Sequence, residues 1–279
     1  MKIWEAIIYG IFGGITELLP ISFNGHYAFL RGAFNLSSLT EGSGYYIRAA
    51  ICLGIMVAVI FGSAGELRKT GNELLGILGV RKIRRGEKKD LLSRRTLSLV
   101  FYSFLLLCLS FIYRASADRM IHLLYSALLF GANGLFLYLC NRGAEGKKYE
   151  RETTLPDALL IGASSAASVF PGFSVLGSSL SVGHARGLSS GYALRYSLLL
   201  FVAYQGISFL YYLIRAFLYG SFAASVLLSF LLAMVCATVF GYLALQYLRY
   251  MLGQQKLGAF SGYCWTIAIV MLILSLINA

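Results

Sequence analysis

Hydrophobic positions run along this chain in long blocks separated by short polar and basic stretches. Six blocks approach the roughly 20 apolar residues a helix needs to cross a bilayer, at about 46–65, 97–114, 120–141, 190–218, 222–248 and 259–278. Two further apolar regions, 3–35 and 155–188, are each broken near the middle by a proline followed by serine and glycine. Proline has no N–H and obstructs a helix, so the backbone at each break must find partners in protein or water rather than lipid. Both regions are therefore predicted to be re-entrant helical hairpins. The pattern as a whole predicts an all-α polytopic membrane protein with six transmembrane helices and two such hairpins.

The order of the blocks is hairpin and three spans, then hairpin and three spans again. Three is odd, so the second copy is predicted to be inverted in the membrane. A single membrane domain over 1–279 then divides into repeat 1, about 1–141, and repeat 2, about 155–279, joined by the basic loop 142–154. The breaks share a pattern, Pro20 then Ser22-Phe-Asn-Gly25 against Pro171 then Ser174-Val-Leu-Gly177. Of the three prolines, the remaining one, Pro156, stands where the second hairpin begins, a position helices tolerate. Inverted repeats place their binding sites near the midplane, and helix ends pointing into such a site favour an anion.

Composition removes other classes. With 58% hydrophobic and 13% charged residues and a mean hydropathy of +0.72, the chain is too apolar for a soluble domain of its length. No cleavable leader is expected, because Glu5 precedes the first apolar run. The net charge of +12 resides in loops. Residues 66–96 carry ten Lys or Arg, with a dense run at 81–89, and residues 142–155 carry four more. The positive-inside rule makes both loops cytoplasmic, and leaves 36–45, the turn at 114–119 and the C-terminus outside. Charge so placed orients the chain and gives no reason to expect nucleic acid. The five cysteines lie in apolar segments without metal-ligand spacing and are read as small buried residues.

Glu17 changes the picture. Of twelve acidic residues, only Glu5 and Glu17 fall in stretches apolar enough to be buried in lipid, where a carboxylate costs roughly 2.5–3.5 kcal/mol on insertion scales. Glu17 and His26, with Ser22 and Asn24 between them, form a set able to act as acid, base or nucleophile on a phosphate ester, or to hold a divalent cation. Ser174, Ser178 and Ser179, with the amides around Gly172 and Gly177, are suited to phosphate oxygens. Serine and glycine also let membrane helices pack closely, so a purely structural role for these serines stands beside the phosphate-binding one. Arg48 and Arg195 sit one turn inside spans and are read first as snorkelling to the interface, with phosphate binding as the second reading. His122, His184 and Arg186 are read as interfacial.

Thr16-Glu17-Leu-Leu-Pro20-Ile-Ser22-Phe-Asn-Gly25-His26 and Pro171-Gly172-Phe-Ser174-Val-Leu-Gly177 resemble the two signature motifs of the bacterial undecaprenyl pyrophosphate phosphatases. The resemblance covers most of the chain, through Ile51–Val59, Asp157–Gly162 and Leu188 to Ser197. It implies hydrolysis of the diphosphate of the C55 lipid carrier to the monophosphate reused in peptidoglycan synthesis, a divalent cation (Mg²⁺ or Ca²⁺), a bacterial plasma membrane location and bacitracin resistance. Carried onto this chain, it makes Glu17, His26 and Ser22 the catalytic set, with Glu17 also the metal ligand. It makes Gly25, Ser174, Gly177 and Ser179 phosphate-binding; the residues themselves add Asn24 and Ser178 to that set, and Arg48, close to the predicted pocket, as a further phosphate ligand. The expected partners are a polyprenyl diphosphate or phosphate, the bilayer, and a second copy in a homodimer.

The chain departs from the family pattern at Gly13, where a Glu or Gln is usual, and at Val175 and Leu176, which replace an arginine and a serine. Phe23 replaces a second serine, and Arg48 replaces an acidic residue. These departures keep a second class in play, a non-catalytic carrier that binds a polyprenyl phosphate head group and moves it across the bilayer.

Overall fold

The computed structural model describes residues 2–80, 90–114, 122–221 and 223–277. The basic run 81–89 and nearly all of the turn 114–119 lie outside the described residues. In chain order the helices are α1 (Ile3–Leu18), α2 (Phe23–Phe34), α3 (Gly44–Gly62), α4 (Ala64–Ile77), α5 (Leu91–Ile112) and α6 (Leu123–Cys140). Then follow α7 (Leu155–Ala166), continued by a 3-10 turn at Ala167–Val169, α8 (Val175–Ala185), α9 (Ser190–Tyr219), α10 (Ala224–Gly253) and α11 (Ala259–Ile277). Six of them, α3, α5, α6, α9, α10 and α11, are long and apolar enough to cross a membrane. They coincide with the six apolar blocks, as continuous apolar runs of that length require.

The two proline-broken regions form helix pairs whose members are too short to span. α1 and α2 have 16 and 12 residues, α7 and α8 have 12 and 11. At 1.5 Å per residue the longest is about 24 Å, short of a hydrocarbon core of about 30 Å. The stretch from 66, expected to be loop, instead begins with α4. Its ends are fixed by ion pairs, Glu66 with Arg249 of α10 at 3.3 Å and Glu73 with Arg94 of α5 at 2.8 Å. Only Thr70 of this helix is buried.

The helix contacts of the two halves correspond. α1 lies against α10 as α7 lies against α5, α3 packs on α10 as α9 packs on α5, and α3 pairs with α9 and α6 with α11. Small residues permit the closest of these contacts. A Cβ on Gly10 or Gly14 of α1 would meet the backbone of Ala233 or Ala237 of α10 at 2.6 and 2.7 Å, and one on Gly162 of α7 would meet Ser103 of α5 at 2.5 Å.

On the side assigned to the cytoplasm, α7 starts at a reciprocal cap between Thr154 and Asp157, with Pro156 in its first turn. The fully buried Asp157 also pairs with Arg186 at 2.7 Å and Lys148 at 3.3 Å. Arg195 pairs with Glu150 nearby.

Candidate functional site

The two proline breaks meet. Ser22 caps α2, its hydroxyl oxygen accepting from the Gly25 amide at 3.3 Å and, across the gap, from the Gly172 amide at 3.0 Å. Ser174 caps α8 in the same way, accepting from the Gly177 amide at 3.2 Å and donating to the Leu19 carbonyl of the other break at 3.3 Å. Each Ser-x-x-Gly motif is thus an N-cap whose hydroxyl also joins it to its counterpart, satisfying backbone groups that lipid cannot. Gly172 is required twice over. Its φ of +138° disfavours any side chain, and a Cβ there would press on Leu129 at 2.6 Å. Gly177 packs directly on Pro20, and Gly25 on the Phe130 ring. Asn133 of α6 closes the junction, donating to the Pro20 carbonyl at 3.4 Å.

This geometry changes the reading of the motif glycines and serines. The amides of Gly25, Gly172 and Gly177 already donate to Ser22 and Ser174, so they hold the breaks together instead of presenting an empty phosphate cradle. The Ser179 hydroxyl is directed to the Leu176 carbonyl of its own helix at 3.1 Å. The Ser178 hydroxyl is buried and has no hydrogen-bond partner among the described residues.

Glu17, in the last turn of α1, opens instead onto a small, partly open cavity between α1, α3, the end of α5 and α9. Its lining includes Phe23, Arg48, Ile51, Cys52, Arg114, Tyr204, Gln205, Ser208 and Tyr212. The Gln205 amide donates to the Glu17 carboxylate at 3.2 Å. Arg48 is 2% exposed, so it does not snorkel; its guanidinium donates to Asn24 and lies over the rings of Phe23, Tyr27 and Tyr212 at 5.3, 5.8 and 4.8 Å. Arg114 enters from the end of α5, donating to the hydroxyls of Tyr212, at 3.0 Å from Nε, and of Tyr204. Ser208 is 1% exposed and its hydroxyl has no hydrogen-bond partner among the described residues. The free volume is about 10 Å³, room for roughly one water molecule.

His26 faces away from this cavity. On a helix, residues two apart point about 200° apart, so Asn24 and His26 occupy opposite sides of α2. The His26 ring packs edge-on to Phe130 and stacks on Tyr263 of α11. Nδ1 lies 2.6 Å from the Ser22 carbonyl, which can only accept, so Nδ1 carries the proton. Nε2 of the neutral ring then accepts from the Tyr263 hydroxyl at 2.6 Å. The structure thus brings together Glu17, Asn24 and Arg48, and separately Ser22, Gly25, Ser174 and Gly177; it does not bring His26 to Glu17.

Arg114, Gln205 and Ser208 were not anticipated. Gln205, an amide in the middle of a long apolar helix, was the one legible signal, because such a group in lipid needs a partner. Arg114 ends an apolar run, where arginine is ordinarily interfacial.

The residues present do not fit a protein-held divalent cation. Among the described residues, no group of three or more His, Cys, Asp or Glu side chains could hold one. The cavity offers one carboxylate beside two guanidiniums, whereas Mg²⁺ and Ca²⁺ take oxygen ligands, carboxylates above all. At Gly13, a Cβ would meet the Ile51 side chain at 2.6 Å, so Ile51 fills the place from which a second carboxylate would reach in. Val175 and Leu176 are buried among apolar neighbours.

The undecaprenyl-diphosphatase of Methanosphaera stadtmanae is 29% identical over 291 residues, covering 99% of each chain. That of Carboxydothermus hydrogenoformans is 27% identical over 281 residues, 98% of each. That of Methanobrevibacter smithii is 25% identical over 276 residues, 97% of this chain and 96% of the relative. The family model described as Bacitracin resistance protein BacA matches residues 6–270, which takes in both proline breaks and the Glu17 cavity, and the chain belongs to that family.

Proposed function

We propose that this chain is a polyprenyl diphosphate phosphatase of the membrane, releasing orthophosphate from a lipid such as undecaprenyl diphosphate and leaving the lipid monophosphate. The observation that carries the reading is the Glu17 cavity, in which a carboxylate, two guanidiniums and an unpartnered serine hydroxyl converge on a space of about one water. With the terminal phosphate held by Arg48 and Arg114, Glu17 takes a proton from the water as its oxygen bonds to phosphorus. The bond from phosphorus to the bridging oxygen breaks, and that oxygen leaves on the lipid monophosphate. Gln205 orients the base, and the arginines balance the charge spreading over the phosphoryl oxygens. Ser22 and Ser174 keep the breaks in register, and His26 fixes the turn into α2 through Ser22. The names of its relatives support undecaprenyl diphosphate as the substrate and the description of its family supports bacitracin resistance; a bacterial plasma membrane setting and cell-wall carrier recycling rest on the signature motifs alone.

The test is phosphate release from polyprenyl diphosphate by purified protein in detergent. Glu17→Gln is expected to lower the rate by about 100-fold or more, the usual contribution of a general base, with lipid binding retained. Wild-type protein that binds the lipid yet releases no phosphate would refute hydrolysis and leave a carrier.

A further inference from the structure

We propose that Arg48 and Arg114 do in this chain the work a divalent cation would otherwise do, so that the diphosphate head group is bound and neutralised without metal. The inference rests on the phosphatase reading above and specifies how the same cavity takes its substrate. Three observations carry it. First, the donor set is wrong for a hard cation and right for an anion: one carboxylate and two guanidiniums line the cavity, and guanidinium forks match phosphate oxygens in pairs. Second, Ile51 occupies the space beside Gly13, one turn before Glu17, so α1 brings no second carboxylate to the cavity. Third, both guanidiniums are held in place. Arg114 is braced by Tyr204 and Tyr212, and Arg48 by Asn24 and the rings of Phe23, Tyr27 and Tyr212.

The shared Tyr212 ties the pair together: its hydroxyl receives Arg114 and its face carries Arg48. The Ser208 hydroxyl, without a partner among the described residues, faces the same space and supplies a donor for an anionic oxygen. The cavity holds only about one water as it stands, so admission of the head group requires the tyrosine and arginine side chains to draw apart. An anion that takes over their hydrogen bonds provides the compensation for that opening.

The experiment measures binding of a non-hydrolysable probe, farnesyl methylene-diphosphonate, to the purified full chain in EDTA and in excess Mg²⁺. The expected dissociation constants agree within about threefold, well under the tenfold step that loss of a real ligand produces. Arg48→Gln and Arg114→Gln are each expected to weaken binding by about 30-fold or more, equally in both buffers. Arg48→Lys and Arg114→Lys, which keep the charge, guard against misfolding; with melting temperatures near wild type, they should bind more weakly but remain indifferent to EDTA. Phosphate release from polyprenyl diphosphate should likewise persist in EDTA. Binding and turnover that vanish in EDTA and return with Mg²⁺ would overturn the inference and leave the phosphatase reading intact. A folded wild type that binds the probe in neither buffer would overturn both.

Discussion

Gly177→Ala tests whether the two proline breaks are one structure. The new methyl would lie 2.7 Å from the Pro20 Cα and 2.9 Å from its Cβ, where ordinary contact begins at 3.4 Å. Both atoms belong to a proline in a sharp turn, so neither can swing aside, and the breaks must separate by several tenths of an ångström. Overpacking of this kind costs about 1–3 kcal/mol. The Ser174 to Leu19 hydrogen bond is already 3.3 Å long and would pass out of range, removing about 1 kcal/mol more. Alanine is favoured over glycine in a helix by up to about 1 kcal/mol, which offsets part of this, so a net loss of about 1–3 kcal/mol remains. Gly131→Ala is the control, because its Cβ would enter open space on α6 and should stabilise slightly. The assay is denaturant unfolding of the two variants in the same detergent, with phosphate release measured alongside; a displacement approaching 1 Å beside Glu17 should cost about 100-fold in rate. If Gly177→Ala proves as stable and active as Gly131→Ala, the breaks do not pack as described.

Two smaller perturbations separate roles the motif alone conflates. Ser22→Ala and Ser174→Ala each remove a cap and a cross-break bond and should each cost about 1–2 kcal/mol; in a double-mutant cycle the pair should lose less than the two losses combined, since both act on one junction. Tyr263→Phe strips the hydroxyl that His26 Nε2 accepts from, and should cost about 1 kcal/mol of stability with less than a tenfold effect on rate. A 100-fold loss of rate in Tyr263→Phe, with the fold intact, would bring His26 back into the chemistry.

The spans were legible because each is an uninterrupted apolar block, a signal that depends on length alone. The breaks were legible for a different reason: a proline in such a block is costly unless the freed backbone groups have partners, and the serine and glycine that follow are what a new cap requires. The sequence did not reveal that those serines would spend their hydroxyls on each other's break. Ser22 stands two residues after its proline and Ser174 three, so the correspondence is spatial and not one of register. The placement of His26 could have been read from the chain, since Asn24 and His26 two residues apart cannot share a helix face. Arg114 could not, because nothing in its neighbourhood distinguishes an arginine folded back among Tyr204 and Tyr212 from one reaching for head groups. It belongs to the cavity through contacts distant in sequence.

The position of Glu17 explains why the cavity needs both arginines. A carboxylate in the last turn of a helix faces the negative end of the helix dipole, an arrangement unfavourable by up to about 1 kcal/mol even at a surface, and here it is also half-buried. One guanidinium would balance the charge of Glu17 and leave a neutral site with no reason to attract a diphosphate. Two guanidiniums balance it and leave a positive remainder, aimed at the same small space. That remainder suits the cavity to an anionic group and not to a second cation. The positive charge lining the cavity comes from Arg48 of α3 and Arg114 at the end of α5.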